Sequence, residues 1–493
     1  MFFSIVNSVF SLLFGLLYNN YLISIYGSPI NGLISTLTQF VSFFSIIEGG
    51  YTTAAVVSSY SSFVNEDFDS ANNILYTTKI YFFRVGLLVS SLVMFFGFFY
   101  IKSINSPLSN VKTYLLLLIS LLDTIGSLCL LSKYTVVLYG NNEEYVEIII
   151  SLISRIIYWV LSIILMRRKE NILVVYSIRL VNIAINLLLF DVYKKRKYNR
   201  ITFKGIYDVS LISGTKDVLF QKIASTVFSS TDLILISSFI NLSYSSVYNL
   251  YYTIYKTIST FVFSCIQSPF NSFGQLYSKN GIDDSFVDLF DIYNTISIII
   301  LNTSLIVTSQ MILPFIGIYA AKITDFNYIY PSLVYLLYTL MYIQSINRPY
   351  GTILNATGNF KNQNIQCALA AVINIVLSTV LLRKIGIYGV VIGSSLGTLM
   401  ITIANIYVTN TLLFKNACKR NMVCMIINYF FGMLSIFISL KMKIKINGYF
   451  MFVMICLIDA AVVIICVLTI NGILNKTTYK KIIAFIKNKT NLE

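Results

Sequence analysis

Apolar runs long enough to cross a bilayer recur from one end of this chain to the other, and that recurrence restricts the fold more than any single motif does. A spanning helix needs about 20 mostly apolar residues to cross a hydrocarbon core about 30 Å thick. Of the 493 residues, 57% are hydrophobic and 11% charged, with a mean hydropathy of +0.77. No soluble domain has such a composition. The expected fold is all-α, a polytopic membrane protein of about 14 transmembrane helices packed in lipid.

Reading apolar runs against loops of Gly, Pro, Asn and charge places helices near 3–26, 33–61, 78–101, 113–138, 145–166 and 171–191. After the basic loop KKRKYNR (194–200) others follow near 214–240, 245–272, 290–315, 329–348, 361–382, 387–413, 422–440 and 448–470. Two six-helix lobes in tandem are expected, 1–200 and 201–415, followed by two helices and a basic amphipathic tail over 416–493. An internal echo supports the tandem plan. YLISIYGSPINGLISTLTQF (21–40) resembles LILISSFINLSYSSVYNLYY (233–252), each a helix end, a short turn and a second helix that begins with small and polar residues.

An even helix count puts both termini on one face, and the excess of Lys and Arg in its loops and in the tail TTYKKIIAFIKNK (477–489) makes that face cytoplasmic. Arg167, Arg168, Lys169, Lys441, Lys443 and Lys445 fall on the opposite face, where they either snorkel to the interface or mark a shifted boundary. No Lys or Arg precedes Lys79, so the first segment reads as a retained helix rather than a cleaved leader, with an upstream start as the alternative. Multi-pass insertion with both termini cytoplasmic is the expected arrangement.

The net charge of +16 is scattered over loops and tail, without the basic stripe that nucleic acid requires. The absence of histidine removes the commonest metal ligand and proton shuttle. Seven cysteines sit singly with no CxxC spacing, as free buried thiols. No metal and no organic cofactor is expected. The loops are too short to fold separately, so binding must take place inside the bundle.

Polar and charged residues recur there at helical spacing. Glu48 aligns with Ser45 and Thr52, Arg155 with Ser151, Tyr158 and Ser162, and Arg179 with Tyr176, Asn182 and Asn186. Asp232 lies over Ser229 and Ser225, and Lys256 is flanked by Asn249, Tyr252, Thr253, Ser259 and Thr260. An ionisable group at the bilayer centre costs about 2.5–3.5 kcal/mol on insertion scales and normally faces protein or a wet cavity. Two readings stand. The stripes converge on a cavity whose cations (Arg84, Arg155, Arg179, Lys222, Lys256) outnumber its anions (Glu48, Asp123, Asp232), suited to an anionic headgroup; or the charges pair and fix helix register. Asp459 stands apart, in the last apolar segment. Asn374 reads as an interhelical hydrogen bond, Gly386 and Gly389 as close packing and a tight turn, and the Gly49-Gly50 pair as a bend in the second helix.

Three stretches resemble the polysaccharide (Wzx-type) flippases of the multidrug, oligosaccharidyl-lipid and polysaccharide exporter superfamily. YGSPINGLISTLTQFVSFFSIIEGGYTTAA (26–55) carries a Gly-x-x-x-Asn-Gly-Leu turn, a Gln and a Glu-x-Gly. SSTDLILISSFINLSYSSVYNLYYTI (229–254) resembles the opening hairpin of the second lobe. NRPYGTILNATGNFKNQNIQCALAAVINIVLSTVLLRKIGIYGVVIGSSLGT (347–398) carries Ala-x-Gly-x-Phe-Lys, an Ile-Asn helix and a Gly-x-x-Gly turn. The likeness covers residues 25–415 and fades over the last two helices. One departure is LYGNNEEYVE (138–147), with two acids where relatives carry a more basic or Gln-rich turn.

The resemblance implies that undecaprenyl-diphosphate-linked oligosaccharide is flipped between leaflets by alternating access, for capsule, O-antigen or another surface polysaccharide. Arg84, Arg155, Tyr158, Arg179, Asn182, Lys222, Tyr252 and Lys256 would line the substrate cavity. Coupling to a proton or sodium ion would fall to Glu48, Asp232 or Asp123. Membrane lipids, a polysaccharide polymerase and assembly proteins are the other expected partners, nucleic acid is not one, and the chain is expected to act as a monomer. The rivals are a drug exporter of the same superfamily, which would need an acidic or aromatic cavity, and a membrane-embedded polymerase or glycosyltransferase. The latter would carry a large outer loop or an acidic metal motif.

Overall fold

The computed structural model describes residues 2–44, 50–212, 230–266, 273, 277, 281–357, 360–413, 419–442, 446, 448–476, 478, 479 and 481. Glu48, Gly49, Lys222, Lys443, Lys445 and nearly all of the basic tail lie outside them.

The described residues form helices and no strand: α1 Phe2–Tyr26, α2 Ser28–Phe44, α3 Tyr51–Val64, α4 Phe68–Ser103, α5 Asn110–Gly126, α6 Ser132–Gly140, α7 Glu144–Arg167, α8 Ile172–Lys197, α9 Ser230–Phe239, α10 Leu242–Ile266, α11 Asp284–Tyr319, α12 Pro331–Ala356, α13 Phe360–Ile385, α14 Ile387–Val408, α15 Lys419–Met442 and α16 Tyr449–Leu474. Among them are ten spans long and apolar enough to cross a bilayer. Each segment expected to be helical is mainly helix over its described residues, with Gly50, Asn171, Ile240, Ile329, Tyr330 and Gly448 falling outside it.

The boundaries differ for local reasons. The single helix expected over 33–61 is two, α2 and α3, and the second starts just after Gly50, whose φ of +73° favours glycine. Gly27, at φ +89°, links α1 directly to α2. The helix expected from 78 begins at Phe68 because Asp67 caps it, its Oδ1 accepting from the Ser70 N–H at 3.0 Å. Asp283 starts α11 early in the same way, accepting from Phe286 N–H at 2.8 Å. Polar first turns that resemble loops are capped helix ends. The segment expected over 113–138 holds a π turn, Ser127–Leu131, between α5 and α6.

The chain packs as two compact units, Met1–Asn249 and Leu250–Glu493, the division falling inside α10. In the first, one apolar cluster joins Leu33, Leu37, Leu116, Leu117 and Val175, and another joins Tyr51, Phe82, Tyr134 and Phe190. In the second, Phe286, Phe290, Tyr350, Ile353 and Leu354 pack together. Exposed Phe95, Phe99, Leu457 and Ile465 form an apolar exterior suited to lipid. Between helices in lipid the hydrophobic drive is absent, and close packing and interhelical hydrogen bonds hold the bundle.

The second unit uses both devices. Asn428 of α15 donates to Asn471 Oδ1 of α16 at 3.0 Å, Asn471 donates back to Asn428 Oδ1 at 3.1 Å, and Tyr338 of α12 donates to Asn302 Oδ1 of α11 at 3.0 Å. All four side chains are buried, and the network fastens α15 and α16 to the bundle. Gly386, at φ +63°, turns α13 into α14 in one residue. A Cβ at Gly389 would strike the Leu381–Leu382 backbone, so the two helices meet closely there. Asn374 Oδ1 accepts from Ser378 Oγ at 2.8 Å and from Ser394 Oγ at 3.2 Å across the same contact.

Candidate functional site

In the first unit, five helices converge on Arg179 of α8. Its Nη1 donates to Tyr176 Oη at 2.7 Å and Thr38 Oγ1 at 3.3 Å, and lies 3.7 Å from Asp123 Oδ2 of α5. Its guanidinium also sits 4.8 Å from the centre of the Tyr176 ring. Ser120 and Thr38 meet the Tyr176 hydroxyl at 2.8 and 3.0 Å. Tyr18 of α1 and Tyr158 of α7, with ring centres 5.7 Å apart, complete the surroundings and lie within electrostatic reach of Arg179. The structure therefore brings Tyr158, Arg179 and Asp123 together, and Arg179 is partly compensated by a long ion pair.

Arg155 differs. It lies midway along α7, where Nη1 donates to Ser11 Oγ at 2.8 Å, and no carboxylate is within ion-pair distance among the described residues. A guanidinium has five N–H donors, so most of this one's capacity is unspent on the described residues. Asn182, one turn beyond Arg179, keeps a buried Oδ1 with no hydrogen-bond partner among the described residues. Arg84 is exposed and lies against Tyr207 of the segment after α8, 3.3 Å from its hydroxyl and 4.6 Å from its ring centre.

A polar seam joins the α1–α2 hairpin to the α9–α10 hairpin within this unit. Asn31 donates to Ser246 Oγ at 2.7 Å, Asn249 to Ser35 Oγ at 3.0 Å and Gln39 to Ser230 Oγ at 2.7 Å; the Tyr100 and Ser237 hydroxyls meet at 2.7 Å. Gly32 lets α2 lie directly on the Leu242 backbone. Asp232, buried on α9, accepts from the Tyr248 hydroxyl at 2.5 Å beside the seam. A cavity of about 610 Å³ opens at its end, lined by Pro29, Lys102, Asn105, Asn110, Asn241 and Ser243.

In the second unit, Lys256 lies 5.6 Å from the ring centre of Tyr252. Arg348 of α12, which the sequence reading passed over, donates to the Ser259 carbonyl at 2.9 Å and stacks 4.5 Å from the Phe263 ring centre. Neither cation has a carboxylate within ion-pair distance among the described residues. Arg348 escaped notice because it precedes Pro349 at the expected end of a helix; α12 continues through the proline to Ala356. The apolar run after NRPYG was the available signal. An apolar groove of about 540 Å³ also lies in this unit, walled by Ile258, Ile299, Val307, Ala460, Ile464 and Leu468.

The acidic turn 138–147 is tied to protein. Glu143 accepts from Tyr193 at 3.0 Å, from Tyr198 at 2.7 Å and from Lys197, which latches the turn to the end of α8. Burial raises its pKa, but these donors outweigh burial and hold it below the ordinary glutamate range. The resulting stability is present above the unfolded value of about 4.3 and is lost as pH falls through the lower folded value. Glu143→Gln is expected to melt earlier than the parent at pH 7 and to lose less stability on acidification below about pH 4. Thermal unfolding in detergent at several pH values measures both.

No family model matches the sequence, and no curated protein matches it. Solved structures do match in fold. A lipid II flippase MurJ in an inward closed conformation superposes with a TM-score of 0.69 at 15% identity, over 96% of this chain and 98% of that one. An inward-facing multidrug resistance MATE family transporter of the MOP superfamily gives 0.58 at 13%, over 88% and 96%. A MOP superfamily transporter from Pyrococcus furiosus, described as having a binding pocket of reverse polarity, gives 0.54 at 12%, over 83% and 94%. The chain is a multi-pass membrane protein with the fold of MOP-superfamily transporters.

Proposed function

We propose that this protein is a flippase for polyprenyl-diphosphate-linked oligosaccharide in a bacterial plasma membrane, working by alternating access. The observation that carries the reading is Arg155, a guanidinium at the middle of a spanning helix that, among the described residues, has one serine contact and no acid within ion-pair distance. A cation left in that condition at membrane depth calls for an anionic ligand. Diphosphate is a headgroup that a planar guanidinium grips through paired N–H donors. Arg179, with its tyrosines, supplies a second cation and rings on which sugars stack. Lys256 and Arg348 each supply a further cation in the other unit, and the apolar groove beside α16 suits a polyprenyl chain. The fold shared with a lipid II flippase supports the substrate class; the fold shared with MATE transporters keeps a drug exporter as the rival. An exporter of cationic drugs would gain nothing from cations that meet no acid among the described residues.

Reconstituted protein, given a fluorescent polyprenyl-diphosphate disaccharide in one leaflet, is expected to expose it in the other. It should leave the monophosphate analogue in place and give no uptake of a lipophilic cation such as ethidium. Ethidium transport with no movement of the diphosphate would replace this reading by the rival.

A further inference from the structure

Three lysines from three helices meet at one end of the first unit. Lys79 of α4, half-buried Lys133 of α6 and Lys194 of α8 lie about one to three turns inside the ends of their helices, and Lys79 and Lys194 are both within electrostatic reach of Lys133. The Lys133 ammonium sits 4.8 Å from the centre of the Phe203 ring, and the Lys194 ammonium 5.4 Å from the same centre. None of the three has a carboxylate within ion-pair distance among the described residues. Asp191, an acid within reach of Lys133, is already bonded to Lys195 at 2.7 Å. Phe203 is held there against its backbone preference. It is buried with φ +55°, a left-handed conformation that phenylalanine rarely adopts. Its N–H donates to Asn72 Oδ1 at 3.2 Å, and its ring meets Tyr134 edge-on with centres 5.1 Å apart. Strain of this kind concentrates at ligand sites, and here it sets an aromatic face where two ammonium groups gather.

An apolar groove of about 480 Å³ follows the same elements, walled by Phe83, Leu87, Ile125, Leu130, Ile183 and Leu187. Phe83 and Leu87 lie four and eight residues beyond Lys79, Leu130 three before Lys133, and Leu187 and Ile183 seven and eleven before Lys194. At helical spacing, groove and lysines therefore share faces of their helices. Leu130 belongs to the π turn Ser127–Leu131, an irregularity found frequently at functional positions. Phe83, Leu87 and Leu130 are exposed, so the groove opens on the apolar exterior, where membrane lipid is the neighbour.

We infer that this is a binding site for one anionic phospholipid, its phosphate headgroup held by Lys79, Lys133 and Lys194 and an acyl chain laid in the groove. Charge complementarity selects the headgroup. Like charges gathered without an acid repel one another, and a phosphate among them reverses the sign of the interaction. Basic pockets between spanning helices take acidic headgroups in this way, and three compact ammonium groups on flexible stems can close on a phosphate. A zwitterionic headgroup brings its own cation to a place that already holds three. The lipid site depends on the membrane setting alone, not on what is transported.

Native mass spectrometry of the full chain in detergent, with phosphatidylglycerol or phosphatidylcholine of the same acyl chains added, tests the site without any transported substrate. One phosphatidylglycerol is expected to bind at least about tenfold more tightly than phosphatidylcholine. Replacing the three lysines together (Lys79→Gln, Lys133→Gln, Lys194→Gln) should erase that preference. Ala184→Trp, which fills the groove and keeps the lysines, should weaken phosphatidylglycerol by about tenfold. Equal binding of the two lipids by the parent, or a preference unchanged in the triple variant, overturns the site. If the triple variant does not fold, Lys133→Gln alone decides, and an unmoved preference overturns the site. Binding unaffected by Ala184→Trp and displaced by inorganic phosphate would make it a free-phosphate site, and tighter binding of a polyprenyl diphosphate than of phosphatidylglycerol would make it a substrate site. Either result overturns the phospholipid assignment. Loss of the lipid preference leaves the flipping assay untouched, and failure of that assay leaves the lipid site standing.

Discussion

Arg155→Ala is expected to reduce movement of the diphosphate-linked substrate about a hundredfold or more, with protein level and thermal stability near those of the parent. The asymmetry follows from its contacts. Among the described residues Arg155 spends one hydrogen bond, on Ser11, and removing it strands no carboxylate there. Removing a charge-assisted, paired contact to phosphate costs about 3 kcal/mol, which is a factor of about a hundred in affinity. Arg155→Lys keeps the charge and loses the paired geometry, and should fall between the two. Arg179→Ala is also expected to abolish transport, but for a mixed reason: it strands Asp123 and unties Tyr176, so a lowered melting temperature should accompany the loss. The flipping assay and a melting curve on the same preparations separate the two arginines. Normal flipping by Arg155→Ala would remove the cationic headgroup site from the mechanism.

The positions of the helices were legible because hydropathy at the scale of a bilayer is a long-range average, insensitive to single residues. What escaped it was local or remote. The capped starts of α4 and α11 looked like loops because Asp-Ser turns are polar, and the cap hydrogen bond that makes them helical spans three residues. The π turn at Ser127–Leu131 leaves no mark on hydropathy. Partners were unreadable for a different reason. Arg179 and Asp123 lie 56 positions apart, Glu143 and Lys197 54, and helical periodicity fixes a face without naming what it meets. Thus the stripe through Arg155 and Tyr158 was visible, but not that Tyr158 joins Arg179 while Arg155 turns to α1. The likeness to polysaccharide flippases, drawn from short motifs, agrees with the solved structures at the level of the transporter fold.

The Gly-x-x-x-Asn-Gly-Leu turn shows most clearly what a motif leaves unsaid. The two sequence segments that echo each other, 21–40 and 233–252, are in contact in the structure: Asn31 and Ser35 of one bond Ser246 and Asn249 of the other. Gly32 stands between those bonds, and a Cβ there would run into the carbonyl of Leu242. On the alternating-access reading proposed above, parting of this seam would make its tightness a property of transport. Gly32→Val is expected to wedge α2 from α10, break both asparagine bonds and slow flipping at least tenfold, with Gly32→Ala showing a smaller loss of the same kind. Overpacking of this sort costs about 1–3 kcal/mol, enough to move a closing equilibrium tenfold or more without unfolding the bundle. The opening can be followed directly in a background without native cysteines. Ser245, fully buried on α10, replaced by cysteine should be shielded from a water-soluble maleimide in the parent and labelled about tenfold faster beside Gly32→Val. If labelling and flipping both stay at parental rates, the seam is a fixed structural contact, and the closing step must be sought elsewhere in the bundle.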